Sequence, residues 1–74
     1  MKAKIIGVKK VDFNSNDGPV KLTQFFVNHK EDNVEGLVSN VVTHNDMRNG
    51  PPPVCKIGEE YEVEYNKYGK LRFA

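Results

Sequence analysis

Apolar and acidic residues alternate strictly near the end of the chain, and the alternation continues beyond a turn sequence. Residues 60–65 read Glu-Tyr-Glu-Val-Glu-Tyr, and residues 70–73 read Lys-Leu-Arg-Phe. A period of two is typical of a strand with one buried and one solvated face. Because the two segments flank the turn residues 66–69, we predict an antiparallel hairpin. Its solvated face would place Glu62 and Glu64 across from Lys70 and Arg72, which favours one register.

Three further strands are predicted before this hairpin. β-Branched and aromatic residues dominate the apolar set, and no segment shows the i, i+3, i+4, i+7 spacing of an amphipathic helix. The predicted strands cover about residues 2–13, 20–29 and 34–43. Apolar residues change sides of the first strand near Gly7, which predicts a β-bulge there, and Gly36 is a candidate for a second bulge.

One long connection, residues 44–53, separates the third strand from the closing hairpin. Pro51–Pro53 lack backbone donors, so this segment is not a central strand. Asn45 is a residue type that caps helix N-termini, and it predicts a short helical turn over residues 45–48.

Five short strands within 74 residues predict an all-β fold. The long connection favours a small five-stranded antiparallel Greek-key barrel of the OB-fold type, and an SH3-like barrel is the alternative. We expect residues 1–74 to form a single domain. A domain of this size buries only about 60% of its unfolded surface. Self-association would therefore help to stabilise it, and we expect a homodimer.

Charge is nearly balanced overall but unevenly distributed along the chain. The formal net charge is +1, yet residues 1–30 hold six lysines against two aspartates, and residues 31–74 hold five basic against eight acidic side chains. This asymmetry predicts one basic and one acidic face. The single cysteine, Cys55, fits a reducing compartment, and no apolar run approaches the roughly 20 residues of a membrane span. We expect a soluble, cytoplasmic protein that does not enter membranes.

Motifs that carry catalysis are missing from the sequence. It has no glycine-rich phosphate loop, no H-E-x-x-H, no paired cysteines and no G-x-S-x-G. The glutamates at positions 60, 62 and 64 share one strand face, which is typical of a solvated stripe. We expect no catalytic residues, no metal site, no cofactor and no small-molecule substrate, and hence a protein that is not an enzyme.

Lysines interleaved with aromatic rings indicate a nucleic-acid ligand. Proteins that bind single strands combine cations, which neutralise phosphates, with rings that stack on unpaired bases. The chain has only two arginines to read bases, so we expect sequence-independent binding with strong salt dependence. The candidate nucleic-acid-binding residues are Lys9, Lys10, Phe13, Lys21, Phe26, Lys30, Lys67, Tyr68 and Lys70.

The aromatic residues divide between core and surface. Phe25 and Phe26 are adjacent on one strand and face opposite ways, so one enters the core. The other is covered by a partner subunit or is exposed to a ligand. The pattern favours the core for Phe13, although one of Phe13 and Phe26 stacks on bases in the binding hypothesis. Tyr68 lies in a turn, where side chains are exposed, so core packing explains this ring less well than any of the others. It is therefore the strongest single candidate for a nucleic-acid-binding residue. Alternation predicts three further core rings: Tyr61, Tyr65 and Phe73.

The order of these features is shared with a known family. The matching segments are Val11-Asp12-Phe13, Phe25-Phe26-Val27, Leu37–Val42, Gly58-x-x-Tyr61-x-Val63 and Tyr68-Gly69-x-Leu71. In this order the chain resembles the gene V-type, helix-destabilising single-stranded-DNA-binding proteins of filamentous phages, and related short proteins of phages and conjugative elements. The resemblance implies an OB-fold homodimer that binds single strands cooperatively in a bacterial host cell. It also implies that the first hairpin is a DNA-binding wing and that the aromatic-Gly loop lies near the dimer axis.

Two hypotheses of function follow. In the first, the protein coats single-stranded DNA, or RNA, in phage or mobile-element replication or transfer. The alternative is a small β-barrel adaptor that binds a peptide or protein partner along an edge strand or through Pro51–Pro53. Clustered lysines in the first half of the chain favour the first hypothesis, because a peptide adaptor does not need them.

Overall fold

The computed structural model describes all 74 residues, which form five strands and one short helix. These elements are β1 (Lys2–Ser15), β2 (Gly18–His29), β3 (Val38–Asn45), α1 (Asp46–Asn49), β4 (Glu60–Tyr65) and β5 (Leu71–Phe73). All pairings are antiparallel, in the order β3-β2-β1-β4-β5. A fourth strand that returns to lie beside the first is the Greek-key arrangement. The predicted all-β barrel of the OB type is confirmed, and the sheet stays open between β3 and β5.

A β-bulge in β1 decides which side chains point into the core. Ile5 and Gly7 pair with consecutive residues of β2, which leaves Ile6 as the extra residue. The bulge predicted at Gly7 is therefore confirmed. A bulge shifts the alternation by one residue, so odd-numbered residues point inward before it and outward after it. Phe13 is consequently 50% exposed, and the expectation of a core position for it is wrong.

The core is small and is filled from all five strands. Its buried apolar residues are Ala3, Ile5, Phe25, Val27, Val42, Val63 and Leu71. Phe25 packs edge-on against Phe73 with ring centroids 5.2 Å apart, and Phe73 meets Tyr61 at 6.4 Å. Tyr61 and Phe73 thus pack against the core, as predicted. Phe25 takes the inward position of the adjacent pair, and Phe26 points away with 39% of its surface exposed.

Tyr65 does not enter the core, contrary to the prediction. It is 41% exposed, and its hydroxyl donates a hydrogen bond to the carboxylate of Glu31 at 2.9 Å. Tyr65 is the last residue of β4. It lies across from the buried Leu71, and its ring packs against the buried ring of His29, so it lies at the edge of the core and one side of it stays in solvent. Alternation predicts the face to which a side chain points, but not how completely neighbouring segments cover it.

The closing hairpin forms part of the predicted charge pattern. Glu64 pairs with Arg72 in register, and the carboxylate lies 2.8 Å from the guanidinium. The prediction is wrong for Glu62, which lies across from neither Lys70 nor Arg72, and Lys70 belongs to the turn before β5. Glu62 instead lies opposite Lys2 of β1.

β3 begins later than predicted, at Val38. Gly36 lies in the preceding loop at a φ of +88°, so the second bulge is wrong and the glycine serves a turn. The helical turn is confirmed, because Asn45 caps α1 by accepting hydrogen bonds from the backbone amides of Met47 and Arg48 at 3.1 and 3.0 Å. α1 has four residues, and no helix of the structure is long and apolar enough to cross a membrane.

The long connection returns to the sheet alongside β1. Gly58 donates a backbone hydrogen bond to Ile5 at 2.8 Å, and Ile5 donates to Glu59 at 3.0 Å. Cys55 is half-buried against the core, and burial raises the pKa of its thiol. The connection is therefore held against the barrel before β4 begins.

Candidate nucleic-acid interface

The β1–β2 hairpin extends past the core as a two-stranded wing, residues 9–22. Its strands pair up to Ser15 and Gly18, which leaves a two-residue turn. The Ser15 hydroxyl donates to the Gly18 carbonyl at 2.8 Å, and Gly18 has a φ of +115° that side chains rarely adopt. The molecule measures 42 × 26 × 18 Å. The wing is thus a defined projection that extends away from the core.

The candidate residues of the wing divide between its two faces. Directly opposed residues share a face of the sheet, so the register assigns each side chain. Lys9 and Phe13 lie on the same side as Phe26, which we call the outer face. Lys10 and Lys21 lie on the side that continues into the core, the inner face. The structure therefore brings Lys9, Phe13 and Phe26 together and places the other two lysines opposite them.

Phe26 is the centre of the outer face. The residue directly across from it on β1 is Gly7, whose lack of a side chain leaves one edge of the ring uncovered; a Cβ there would lie 3.6 Å from the ring. Along the direction of the strands, Phe26 lies between two lysines of β1. Lys4 is on one side of it and Lys9 is on the other. Val41 of β3, 37% exposed, pairs with Phe26 from the other strand. An exposed ring is thus flanked by two cations.

The outer face of β1, β2 and β3 carries no acidic side chain. Ala3 and Ile5 point inward, so the lysines at positions 2 and 4 point outward, as Lys9 does beyond the bulge. Outward positions of β2 and β3 hold apolar, amide or hydroxyl side chains. The acidic residues concentrate on β4 at positions 60, 62 and 64. Glu62 and Glu60 lie directly across from Lys2 and Lys4, so the acidic strand borders the lysines of β1 on the same side of the sheet. The predicted separation into one basic and one acidic face is therefore incomplete.

The β4–β5 turn holds Tyr68 in solvent. The Asn66 side chain accepts hydrogen bonds from the backbone amides of Tyr68 and Lys70 at 2.9 and 3.0 Å, which fixes the turn. Tyr68 is 75% exposed, as expected for a turn position. The ammonium of Lys67 lies 5.1 Å from the centroid of the Tyr68 ring, within range of a cation–π contact. The turn thus exposes the Tyr68 ring and the Lys67 ammonium side by side to solvent.

A hollow in the gap between β3 and β5 connects this turn with the outer face. It has a volume of about 450 Å³, and its wall includes Val41 and Thr43 from β3 with Lys70 and Arg72 from the closing hairpin. Val41 is also the neighbour of Phe26. Lys70 therefore adjoins the same surface as Phe26. Lys30 is the exception among the candidates, because it follows the far end of β2, away from the wing turn.

Sequence reasoning missed a polar network at the base of the wing. The buried Thr23 hydroxyl donates to the Asp46 carboxylate at 2.9 Å and accepts from the Lys10 ammonium at 3.2 Å. Nδ1 of His44 lies 2.8 Å from the same carboxylate. This hydrogen bond with His44 is the largest of the causes that hold the pKa of Asp46 below its ordinary value. Lys10 is thus partly engaged inside the protein. The one sequence signal for this network was the Asn45 cap, which fixes where Asp46 lies.

Sequence reasoning also missed Lys4. Its outward position follows once the bulge is placed, because the shift in alternation puts Lys4 and Lys9 on the same face. No salt bridge of the structure involves a lysine side chain. The lysine charges of the outer face are therefore free for a ligand.

Comparison with known proteins gives no relative on which to base an assignment. No protein-family model, curated protein or solved structure matches the chain. The chemistry of the site therefore has to be read from its own residues. These are exposed rings and lysines without ion pairs, on a face of β1, β2 and β3 that holds no carboxylate and is bordered by Glu60 and Glu62 of β4.

Proposed function

We propose that this protein is a non-catalytic, sequence-independent single-stranded-DNA-binding protein. In this proposal it coats single-stranded intermediates of phage or mobile-element replication or transfer in the cytoplasm of a bacterial host. One observation carries the proposal: the outer face of β1, β2 and β3 exposes Phe26 between the rows of Lys4 and Lys9 and holds no acidic side chain. Cations for phosphates and a ring for unpaired bases are the two components such binding needs.

The position of this surface on the fold supports the proposal. OB-folds bind oligonucleotides on the face of strands 2 and 3 and with the loops that join strands 1–2 and 4–5. In this chain those three regions are the surface around Phe26, the wing with Phe13, and the turn with Tyr68. Each exposes an aromatic ring. A bound strand would therefore meet a ring in every one of the three regions.

The residue types favour single strands over duplexes and phosphates over base edges. A ring stacks only on a base that is not already paired and stacked within a helix. Lysine neutralises phosphate as a point charge, whereas bidentate reading of guanine is typical of arginine. Of the two arginines, Arg72 is already paired with Glu64. We therefore propose little discrimination among bases.

We further propose that the protein is a homodimer. Seven apolar residues form the core, while thirteen large hydrophobic side chains are exposed. More apolar residues thus lie outside the core than inside it, which favours an isologous contact between strands. Sedimentation at tens of micromolar should give a dimer, and a monomer at that concentration would contradict this part of the proposal.

The adaptor alternative has less support. Pro51–Pro53 line none of the three hollows of the structure, so a partner there would meet a flat surface. The free edges of β3 and β5 face each other across a narrow gap. A peptide strand would have to enter that gap.

Fluorescence anisotropy with labelled oligonucleotides tests the proposed function. We expect oligo(dT) and oligo(dA) to bind with similar affinity, a duplex of the same length to bind more weakly, and the affinity to fall steeply with salt. Phe26→Ala should weaken single-strand binding by about 1–3 kcal/mol. Val54→Ala is the matched control, because Val54 is apolar and 89% exposed but lies outside the outer face. Absence of binding at low salt would refute the proposal.

A further inference from the structure

Two adjoining hollows lie at the end of the barrel opposite the wing turn. Their volumes are about 900 and 470 Å³, within the range of about 300–1,000 Å³ that small-molecule sites occupy. Met1, Lys30 and Leu37 line both of them. The two hollows thus form one continuous depression with different chemistry at its two ends.

The larger hollow offers an aromatic and aliphatic surface, and its wall also contains the acidic residues Glu31 and Asp32. Tyr65 and Leu37 line it and are 41% and 59% exposed. The Tyr65 ring is held in place, because its hydroxyl donates to Glu31 at 2.9 Å and the ring packs edge-to-face with the buried ring of His29 at 6.2 Å between centroids. A ring fixed on two sides and open on another is a ready platform for a flat ligand.

The smaller hollow is basic. Lys2, Lys4 and Lys30 line it, and none of the three lies in an ion pair. The only acidic residue in its wall is Glu60, which lies directly opposite Lys4. Three ammonium groups against one carboxylate leave an excess of positive charge, which suits an anion of more than one charge or a chain of phosphates.

We infer that this depression is a nucleotide subsite, with a base against Tyr65 and Leu37 and its phosphate among Lys2, Lys4 and Lys30. The inference rests on the proposed function, because its occupant is a nucleotide of the bound single strand. Lys4 links the two surfaces: it flanks Phe26 on the outer face and also lines the smaller hollow. A strand that leaves Phe26 along the lysines of β1 reaches the depression directly. This also gives Lys30 a role, although it lies away from the wing.

Salt dependence of oligo(dT) binding tests the phosphate half of the subsite. The double variant Lys2→Ala/Lys30→Ala spares Lys4 and should lower the slope of log affinity against log salt by about 0.7 for each phosphate that is no longer neutralised. The control is Arg48→Ala/Lys56→Ala, which removes the same charge from exposed residues that line no hollow. An oligonucleotide of about 16 residues is long enough to cover an OB-fold.

Substitution of Tyr65 tests the base half. Tyr65→Leu removes the ring and keeps an apolar side chain, and it should weaken binding by roughly fivefold or more. Tyr65→Phe keeps the ring and should bind more tightly than Tyr65→Leu. Thermal melts of both variants show whether they are folded; if Tyr65→Leu is not, the lysine pair decides alone.

The outcomes separate this inference from the proposed function. If the wild type binds oligo(dT) and Phe26→Ala weakens it, but the lysine double variant has the same slope as its control, the subsite is refuted and the function stands. If the wild type does not bind at all, both are refuted.

Discussion

Tyr68 is exposed because of the backbone around it. The Asn66 side chain closes the turn with two backbone hydrogen bonds, and neither involves the tyrosine ring. The only side-chain partner of the ring is the ammonium of Lys67, 5.1 Å from the centroid. The ring is thus free to meet a base or a neighbouring protein molecule, and its removal leaves the turn intact.

We expect Tyr68→Ala to separate stability from binding. The free energy of unfolding should change by no more than about 0.5 kcal/mol, as for most exposed positions. Single-strand affinity should fall by about 1–3 kcal/mol if the ring stacks on a base; if the ring bridges adjacent dimers, intrinsic affinity holds and cooperativity falls. Denaturant unfolding and anisotropy measure the two quantities, with Tyr68→Phe as the control. A variant that unfolds much more easily and binds normally would show Tyr68 to be a packing residue.

Asp46 makes the stability of the folded state depend on pH in the acid range. Hydrogen bonds from His44 and Thr23 lower the pKa of Asp46 from its ordinary value of 3.8. A carboxyl whose pKa is lower in the folded state than in the unfolded state stabilises the folded state. This contribution is complete at pH values above the unfolded-state pKa, and it is lost as the pH falls through the folded-state pKa. Asp46→Asn should therefore reduce the denaturant midpoint at pH 7, and the difference from wild type should shrink below about pH 3.8. A difference from wild type that stays equal as the pH falls from 7 through the acid range, until the Asp46 carboxylate is protonated, would contradict a role for the charge.

Among the elements, β1 has the largest influence on the interface, because its bulge determines the composition of the wing. The switch near Gly7 was predictable, since the apolar residues change parity there. Its consequence was not predicted: the same switch turns Phe13 outward and brings Lys9 onto the face of Phe26. Alternation alone also placed Tyr65 in the core, because a sequence pattern does not show how completely neighbouring segments cover an inward-facing ring. The start of β3 was misplaced because loop residues 34–37 include apolar side chains that resemble those of a strand.

The two faces of the wing should differ in their contribution to binding. Lys9 lies on the outer face, whereas Lys21 lies on the inner face directly across from Asp12. Lys9→Ala should lower the slope of log affinity against log salt by about 0.7, the value for one phosphate on a single strand, and Lys21→Ala should lower it less. Anisotropy titrations at several salt concentrations measure both slopes. A larger effect from Lys21→Ala would place the strand on the inner face and contradict the proposed interface.

For the molecule as a whole, the fold was more predictable than the site. Strand number, the Greek-key order and the α1 cap follow from alternation, the proline-containing connection and Asn45, all of which are local signals. The hollows and the network of Thr23, Asp46 and His44 depend on contacts between distant segments, which a single sequence does not reveal. The sequence identifies the candidate lysines and aromatic rings individually. Assigning them to the outer and inner faces of the wing requires the β1–β2 register, which the sequence does not give.

An amide NMR titration of this 8.4 kDa protein with oligo(dT) of about 16 residues would locate the bound strand on the molecule. We predict that the largest shift changes occur at Lys9, Phe26 and Val41 on the outer face and at Tyr68 in the turn, and that residues of the acidic strand β4 around Glu62 change little. Changes concentrated around Glu62 or around Pro51–Pro53, or no changes at all, would contradict a single-strand interface on the outer face.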